Sequence, residues 1–222
     1  MTSIAIIGAG PGLGFAAAHR FGREGFAVAL ISRNQDKLDE MARALAVEGI
    51  EAGGFAADVR DRDTLVDALE SASADLGTIE VLQYSPIPSR EFLRPVLETT
   101  VEDLAAATEF SILAPAAAVS QVLPGMTDLG RGTILLVNGS SAATPNGRVA
   151  GTSTAFAAES AYGTMLHEAL SPEGIHVGQL IIPGAIGGGD PLFAPEALAD
   201  RLWRIHTDRG SFRTTVGDSA VA

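Results

Sequence analysis

Ile4-Ala5-Ile6-Ile7-Gly8-Ala9-Gly10-Pro11-Gly12-Leu13-Gly14 joins four consecutive apolar residues to four glycines in seven positions. The apolar run matches a strand buried on both faces. The glycines allow a tight turn whose backbone approaches a ligand closely. From Phe15 the pattern becomes Phe-Ala-Ala-Ala-His-Arg-Phe, so the turn opens directly into a helix. A pyrophosphate at that helix start would meet unpaired N–H groups and the positive end of the helix dipole. A glycine turn between a strand and a helix is a stronger dinucleotide signal than the glycines alone. It makes Gly8, Gly10, Gly12, Leu13 and Gly14 candidate cofactor-binding residues.

Working outward, Phe26 to Ile31 reads as a second buried strand that ends at Ser32-Arg33-Asn34. In dinucleotide folds an acidic residue here holds a free ribose 2′-hydroxyl, whereas an Arg accommodates a 2′-phosphate. Arg33 without a carboxylate therefore points to NADP(H), with Ser32 and Asn34 beside it. Asn34-Gln35-Asp36 caps an amphipathic helix to about Glu48. A third strand, Ile50 to Ala56, leads to Asp58-Val59, where an Asp either reaches the adenine edge or caps the next helix, near Asp63 to Ala74. The fourth strand, Ile79 to Leu82, runs into Gln83-Tyr84-Ser85-Pro86, and prolines 86, 88 and 95 make a loop to about Glu98.

A long Ala-rich helix is expected from Val101 to Leu123, kinked at Pro115 and ended by Pro124-Gly125. Gly132 to Val137 is the fifth strand, followed by Ser140-Ser141; residues 142–153 read as a mobile loop over the site. A second Ala-rich helix, about Thr154 to Leu170, precedes a sixth strand from Ile175 to Ile182. Pro183-Gly184 closes that strand, and 184–195, with its Gly187-Gly188-Gly189 run, is a candidate substrate lid. A last helix runs from Pro195 to about His206, and Phe212 to Val216 forms a short edge strand. This alternation implies right-handed crossovers and an α/β fold, a doubly wound parallel sheet of the Rossmann type in a single domain over residues 1–222.

Composition agrees. At 222 residues, 46% hydrophobic, the chain suits one such domain with both sheet faces covered. A net charge of −12 argues against nucleic-acid or anionic-membrane binding. With no cysteine there are no disulfides, thiolate nucleophiles or cysteine zinc sites, and no metal site is expected. Met1-Thr2-Ser3 runs straight into the first strand without a secretory signal pattern, and no apolar run reaches the ~20 residues of a membrane span. The expectation is a cytoplasmic protein.

These features together resemble the short-chain dehydrogenase/reductase family over nearly the whole chain. Gly8, Gly12 and Gly14 match its TGxxxGxG turn, with Ile7 where Thr is usual. Asp58-Val59 looks like its adenine-site dipeptide, Leu123-Pro124-Gly125-Met126 like the end of its fourth-helix segment, Ser140-Ser141 like its catalytic-serine strand end, and Pro183-Gly184 like its post-strand turn. The resemblance implies an NADP(H)-dependent oxidoreductase acting on a carbonyl or alcohol. It also implies a homodimer or homotetramer built through the two Ala-rich helices.

The departures fall on the chemistry. The family's Asn-Asn-Ala-Gly is replaced by Tyr84-Ser85-Pro86-Ile87, and its catalytic Asn falls on Ser111. Its Tyr-x-x-x-Lys pair aligns with Phe156 and Ser160, while its serine survives as Ser141; the spacing from Ser141 to Phe156 is slightly long for the family. Tyr84, beyond the fourth strand, is the best remaining phenol, either as a proton donor or as a ring against the cofactor. Tyr162 is expected in the core or an interface, His167 too far along its helix to reach the site, and Glu159 solvated or interfacial. Two functions follow: an oxidoreductase with atypical or weak catalysis, or a non-catalytic NADP(H)-binding sensor or partner subunit.

Overall fold

In the computed structural model, which describes residues 2–218, seven strands form one sheet in the order β3-β2-β1-β4-β5-β6-β7, every neighbouring pair parallel. The strands are β1 (Ser3–Ile7), β2 (Ala27–Ser32), β3 (Ala52–Ala56), β4 (Ile79–Tyr84), β5 (Gly132–Gly139), β6 (Ile175–Ile182) and β7 (Arg213–Thr215). The helices are α1 (Leu13–Gly22), α2 (Gln35–Val47), α3 (Arg62–Leu76), α4 (Val101–Thr108), α5 (Ala114–Leu129), α6 (Ala150–Leu170) and α7 (Pro195–Asp208). Strand order reverses between β1 and β4, and a ligand crevice belongs outside the carboxyl ends of the strands at such a point.

The central strands are buried on both faces, as their unbroken apolar runs require. One face packs Ile7, Leu82, Leu136 and Val177 against α3 and α5. The other packs Ile6, Leu30, Leu135 and Leu180 against α1 and α7. Gly14 is one of the small residues that permit this: a Cβ there would lie 3.0 Å from the Ala9 Cα, so α1 can start hard against the strand it follows.

The Ala-rich segment from Val101 departs from the expected single kinked helix. It is broken at Glu109–Leu113 by a π-helical turn, and Pro115, which lacks an N–H, sits in the first turn of α5. Pro124 does not end α5. The helix runs through it to Leu129 and stops at Gly130, whose φ of 63° is the left-handed conformation glycine supplies at helix ends. Contrary to the expectation of no span-length apolar stretch, Val101–Leu129 is long and apolar enough to cross a membrane by length and composition, with half of its most apolar window buried in the domain.

Candidate functional site

The glycine turn forms a cradle at the carboxyl end of β1. Gly8 has φ +91°, and a Cβ on it would lie 2.5 Å from the Pro86 backbone, so only glycine fits between β1 and the segment after β4. Gly10 and Gly12 instead face open space, with nothing within 4 Å of a Cβ built on either. Among the described residues, no acceptor pairs with the N–H groups of Gly12, Leu13 or Gly14, and α1 has no capping side chain and no acidic residue in its first turn. Free donors, backbone access and an uncompensated positive helix end together fit a pyrophosphate.

Beside the cradle, a cavity of about 180 Å³ is lined by Gly8, Gly10, Ser32, Arg33, Asp58 and Val59 among others. These sequence-derived candidates thus converge. Arg33 is exposed and makes no ion pair among the described residues. The Asp58 carboxylate accepts from the Arg60 N–H at 3.0 Å, whereas the cap of α3 falls to Asp61, which accepts from the Thr64 N–H. Arg60 lines the same cavity, its guanidinium near Glu91 and Glu109; no sequence motif marked it. Asn34 turns away to cap α2 through the Lys37 N–H, and Ser85 takes a bond from Gln83 Nε2 at 2.9 Å. Neither lines the cavity.

Pro86 and Ile87 join this cavity to a second one of about 370 Å³ over the ends of β5 and β6. Ser141, Thr152, Phe156, Pro183 and Gly184 line it. Residues 142–153 are not one long loop: α6 begins at Ala150, and the segment before it is pinned by Val96 N–H to the Gly147 carbonyl and by Ser153 Oγ, which bonds both the N–H and the carbonyl of Asn146. Only the near end of segment 184–195, at Gly184 and Ile186, touches the cavity.

Three expectations about side chains are corrected here. Tyr84 lines neither cavity. It is 2% exposed in the apolar core, and its hydroxyl donates to the Phe110 carbonyl in the π turn; burial, with the nearby Glu159 and Asp58 charges, pushes its pKa well up. It is therefore neither a proton donor for the cleft nor a cofactor contact. Ser160 faces away from the cleft, donating to Gln179 Oε1 at 2.7 Å and accepting from Arg213. The α6 residues that face the cleft are Thr152 and Phe156, one turn earlier than the Phe156–Ser160 pairing. Glu159 is not solvated: it is 1% exposed and accepts from Asn138 Nδ2 at 3.0 Å. Burial raises its pKa to about 8, the bond from Asn138 opposing the shift, and its other oxygen has no partner.

Glu159 begins a buried chain that sequence reasoning missed. Asn138, on the cavity wall, accepts from Gln179 Nε2 at 2.8 Å, and Gln179 Oε1 accepts from both Ser160 and Arg213 Nε. Isolated polar residues on β5, α6, β6 and β7 give no signal until the sheet brings them together. Ser111 is buried within the π turn and lines neither cavity. His167 is bonded to the Val177 carbonyl, away from the cleft, as its distance along α6 predicts. A larger groove of about 490 Å³ lies between α1 and α7, but its cations Arg20 and Arg23 are paired with Glu24, Asp200 and Glu48.

The family model for the short chain dehydrogenases matches residues 2–189. The chain belongs to that family. Among curated relatives, it is 28% identical over 170 residues to the 2,3-dihydro-2,3-dihydroxybenzoate dehydrogenase of Bacillus subtilis, a match covering 76% of this chain and 62% of that protein. It is 30% identical over 111 residues to the peroxisomal 2,4-dienoyl-CoA reductase of Arabidopsis thaliana, covering 48% of this chain and 37% of that one. These matches thus span less than two thirds of either relative. Among solved structures, the short-chain dehydrogenase of Rhodopseudomonas palustris superposes with a TM-score of 0.86 at 24% identity, over 98% of this chain and 99% of that one. A short-chain oxidoreductase of Pseudomonas aeruginosa, described as NADPH-bound with an atypical catalytic center, gives 0.84 at 20% identity over 100% and 97%. Both show the shared fold.

Proposed function

We propose that this family member is an NADP(H)-binding oxidoreductase of the short-chain type, acting on a carbonyl or alcohol with weak, atypical catalysis. The observation that carries the reading is the open cleft itself. A phosphate-fitting cradle and an unpaired Arg33 lie at one end, and a serine-bearing cavity with no Tyr or Lys in its lining lies at the other. NADPH, when bound, supplies a hydride. Ser141 can hold a carbonyl oxygen, but Thr152 and Phe156 offer neither a phenol nor an ammonium to protonate it, which leaves water as the proton source. General acid–base groups contribute about 10²–10⁴-fold, so turnover is expected to be slow rather than absent.

Two measurements test this. In fluorescence titrations NADPH should bind at least about tenfold more tightly than NADH, and Arg33→Ala should bring the two together, since a lost charge-assisted bond costs ~1.5–3 kcal/mol. Equal affinity in the wild type would refute the NADP assignment. The double variant Thr152→Tyr/Phe156→Lys should raise NADPH turnover on ketones by an order of magnitude or more. Tight NADPH binding with no turnover in either protein would favour the non-catalytic sensor or partner subunit.

A further inference from the structure

The larger cavity carries information about what it accepts, on the reading just given. Its volume of about 370 Å³ is near the lower end of the usual ~300–1,000 Å³ for small-molecule pockets. Among the described residues none of the seventeen that line it is charged. An anionic substrate group would leave water there without a cation to receive it, at a cost far above that of a neutral group.

Most of the cavity's polar atoms are already engaged. Asn138 is held from both sides by Glu159 and Gln179, and Asn146 Oδ1 accepts from the Arg148 N–H. Thr152 Oγ1 donates to the Val149 carbonyl at 3.1 Å. The hydroxyls of Ser140 and Ser141 have no such partner among the described residues; Ser140 is exposed, whereas Ser141 is buried and free to donate inward. The mouth is apolar instead. Ile87 is 89% exposed, and Leu93 and Ile186 are each 43% exposed, brought to the same rim by two separate segments.

We propose that the cavity takes an uncharged, largely apolar ketone or aldehyde, its carbonyl oxygen accepting from Ser141 and its hydrocarbon covering Ile87, Leu93 and Ile186. Covering these side chains supplies apolar burial, at roughly 25 cal/mol per Å², and the free hydroxyl of Ser141, the buried one of the two lining serines, fixes orientation. A carboxylated or phosphorylated substrate of the same length is excluded by the same wall.

Calorimetry on the NADPH-saturated protein tests this with matched pairs: 4-methylacetophenone against 4-acetylbenzoate, and 2-decanone against 9-oxodecanoate. The neutral member should bind at least about tenfold more tightly in each pair. Ser141→Ala should weaken the neutral ketones by about two- to tenfold. Ile186→Lys, at an exposed position, should narrow the preference or reverse it. Carboxylates binding as tightly as neutral ketones, or no neutral ketone binding at millimolar concentration, would overturn the inference. NADPH binding is read separately beforehand. Its failure refutes the cofactor reading, while the same ketone pairs titrated into the cofactor-free protein still decide the preference.

Discussion

Glu159 turns inward from α6 although it sits three residues beyond Phe156. At ~100° per residue that separation is 300°, only about 60° from the cleft-facing residue, so the two share a broad inner face. Its raised pKa has a direct consequence for stability. The unfolded chain ionises this carboxyl near 4.5 and the folded protein near 8, so the stability it leaves intact at low pH is lost as pH rises between those values, at up to ~1.4 kcal/mol per pH unit. Glu159→Gln, which keeps an acceptor for Asn138, should flatten this decline and be the more stable protein at pH 8 in urea denaturation. A parallel decline in wild type and variant would show that the group is not buried neutral. Helical spacing specifies which residues share a face, but not which face meets the sheet. That missing phase left Glu159 expected in water, whereas Ser160 was placed at the cleft by its alignment with the family's Lys. Tyr84 was misplaced for a related reason: the π turn brings the Phe110 carbonyl within its reach, and a π turn has no clear mark in the sequence.

Elements with strong local signals were legible throughout. The strands appeared as apolar runs and the α2 start as Asn34, whose side chain caps it. The glycine turn was legible in kind, and the structure adds which glycine does what: Gly8 and Gly14 permit close packing, whereas Gly10 and Gly12 leave room for a ligand. Gly8→Ala should therefore cost about 2–4 kcal/mol, combining strain at positive φ with overpacking against Pro86, and should weaken NADPH binding as the turn shifts. Gly10→Ala, with space around it, should fold with wild-type stability yet still lose NADPH affinity. Chemical denaturation and NADPH titration of both variants separate the two roles. Helix ends were less legible, because Pro124 reads as a stop while tertiary packing of α5 on β4 carries the helix past it to Gly130.

At the scale of the whole molecule, the topology implied by alternating strands and helices is the one observed. The association state belongs to this scale too. Val101, Leu113 and Met165 are 78%, 58% and 60% exposed on α4, the π turn and α6. Large apolar side chains of this kind, on helices with no further layer over them, are expected to be covered in a homodimer or homotetramer. Sedimentation equilibrium at micromolar concentration should give two or four times the chain mass, and Leu113→Glu should shift it toward the monomer. A wild-type monomer would contradict the expectation.

The contact of Arg213 with Ser160 and Gln179 sets an order on how the cleft comes into being. The phosphate cradle is encoded by residues 8–14, far ahead of β7 along the chain. The wall that holds Asn138 is tied off by a side chain of β7, a strand that can join β6 only after all the others have been translated. During synthesis the nucleotide end of the cleft can form while the substrate end still lacks its last brace.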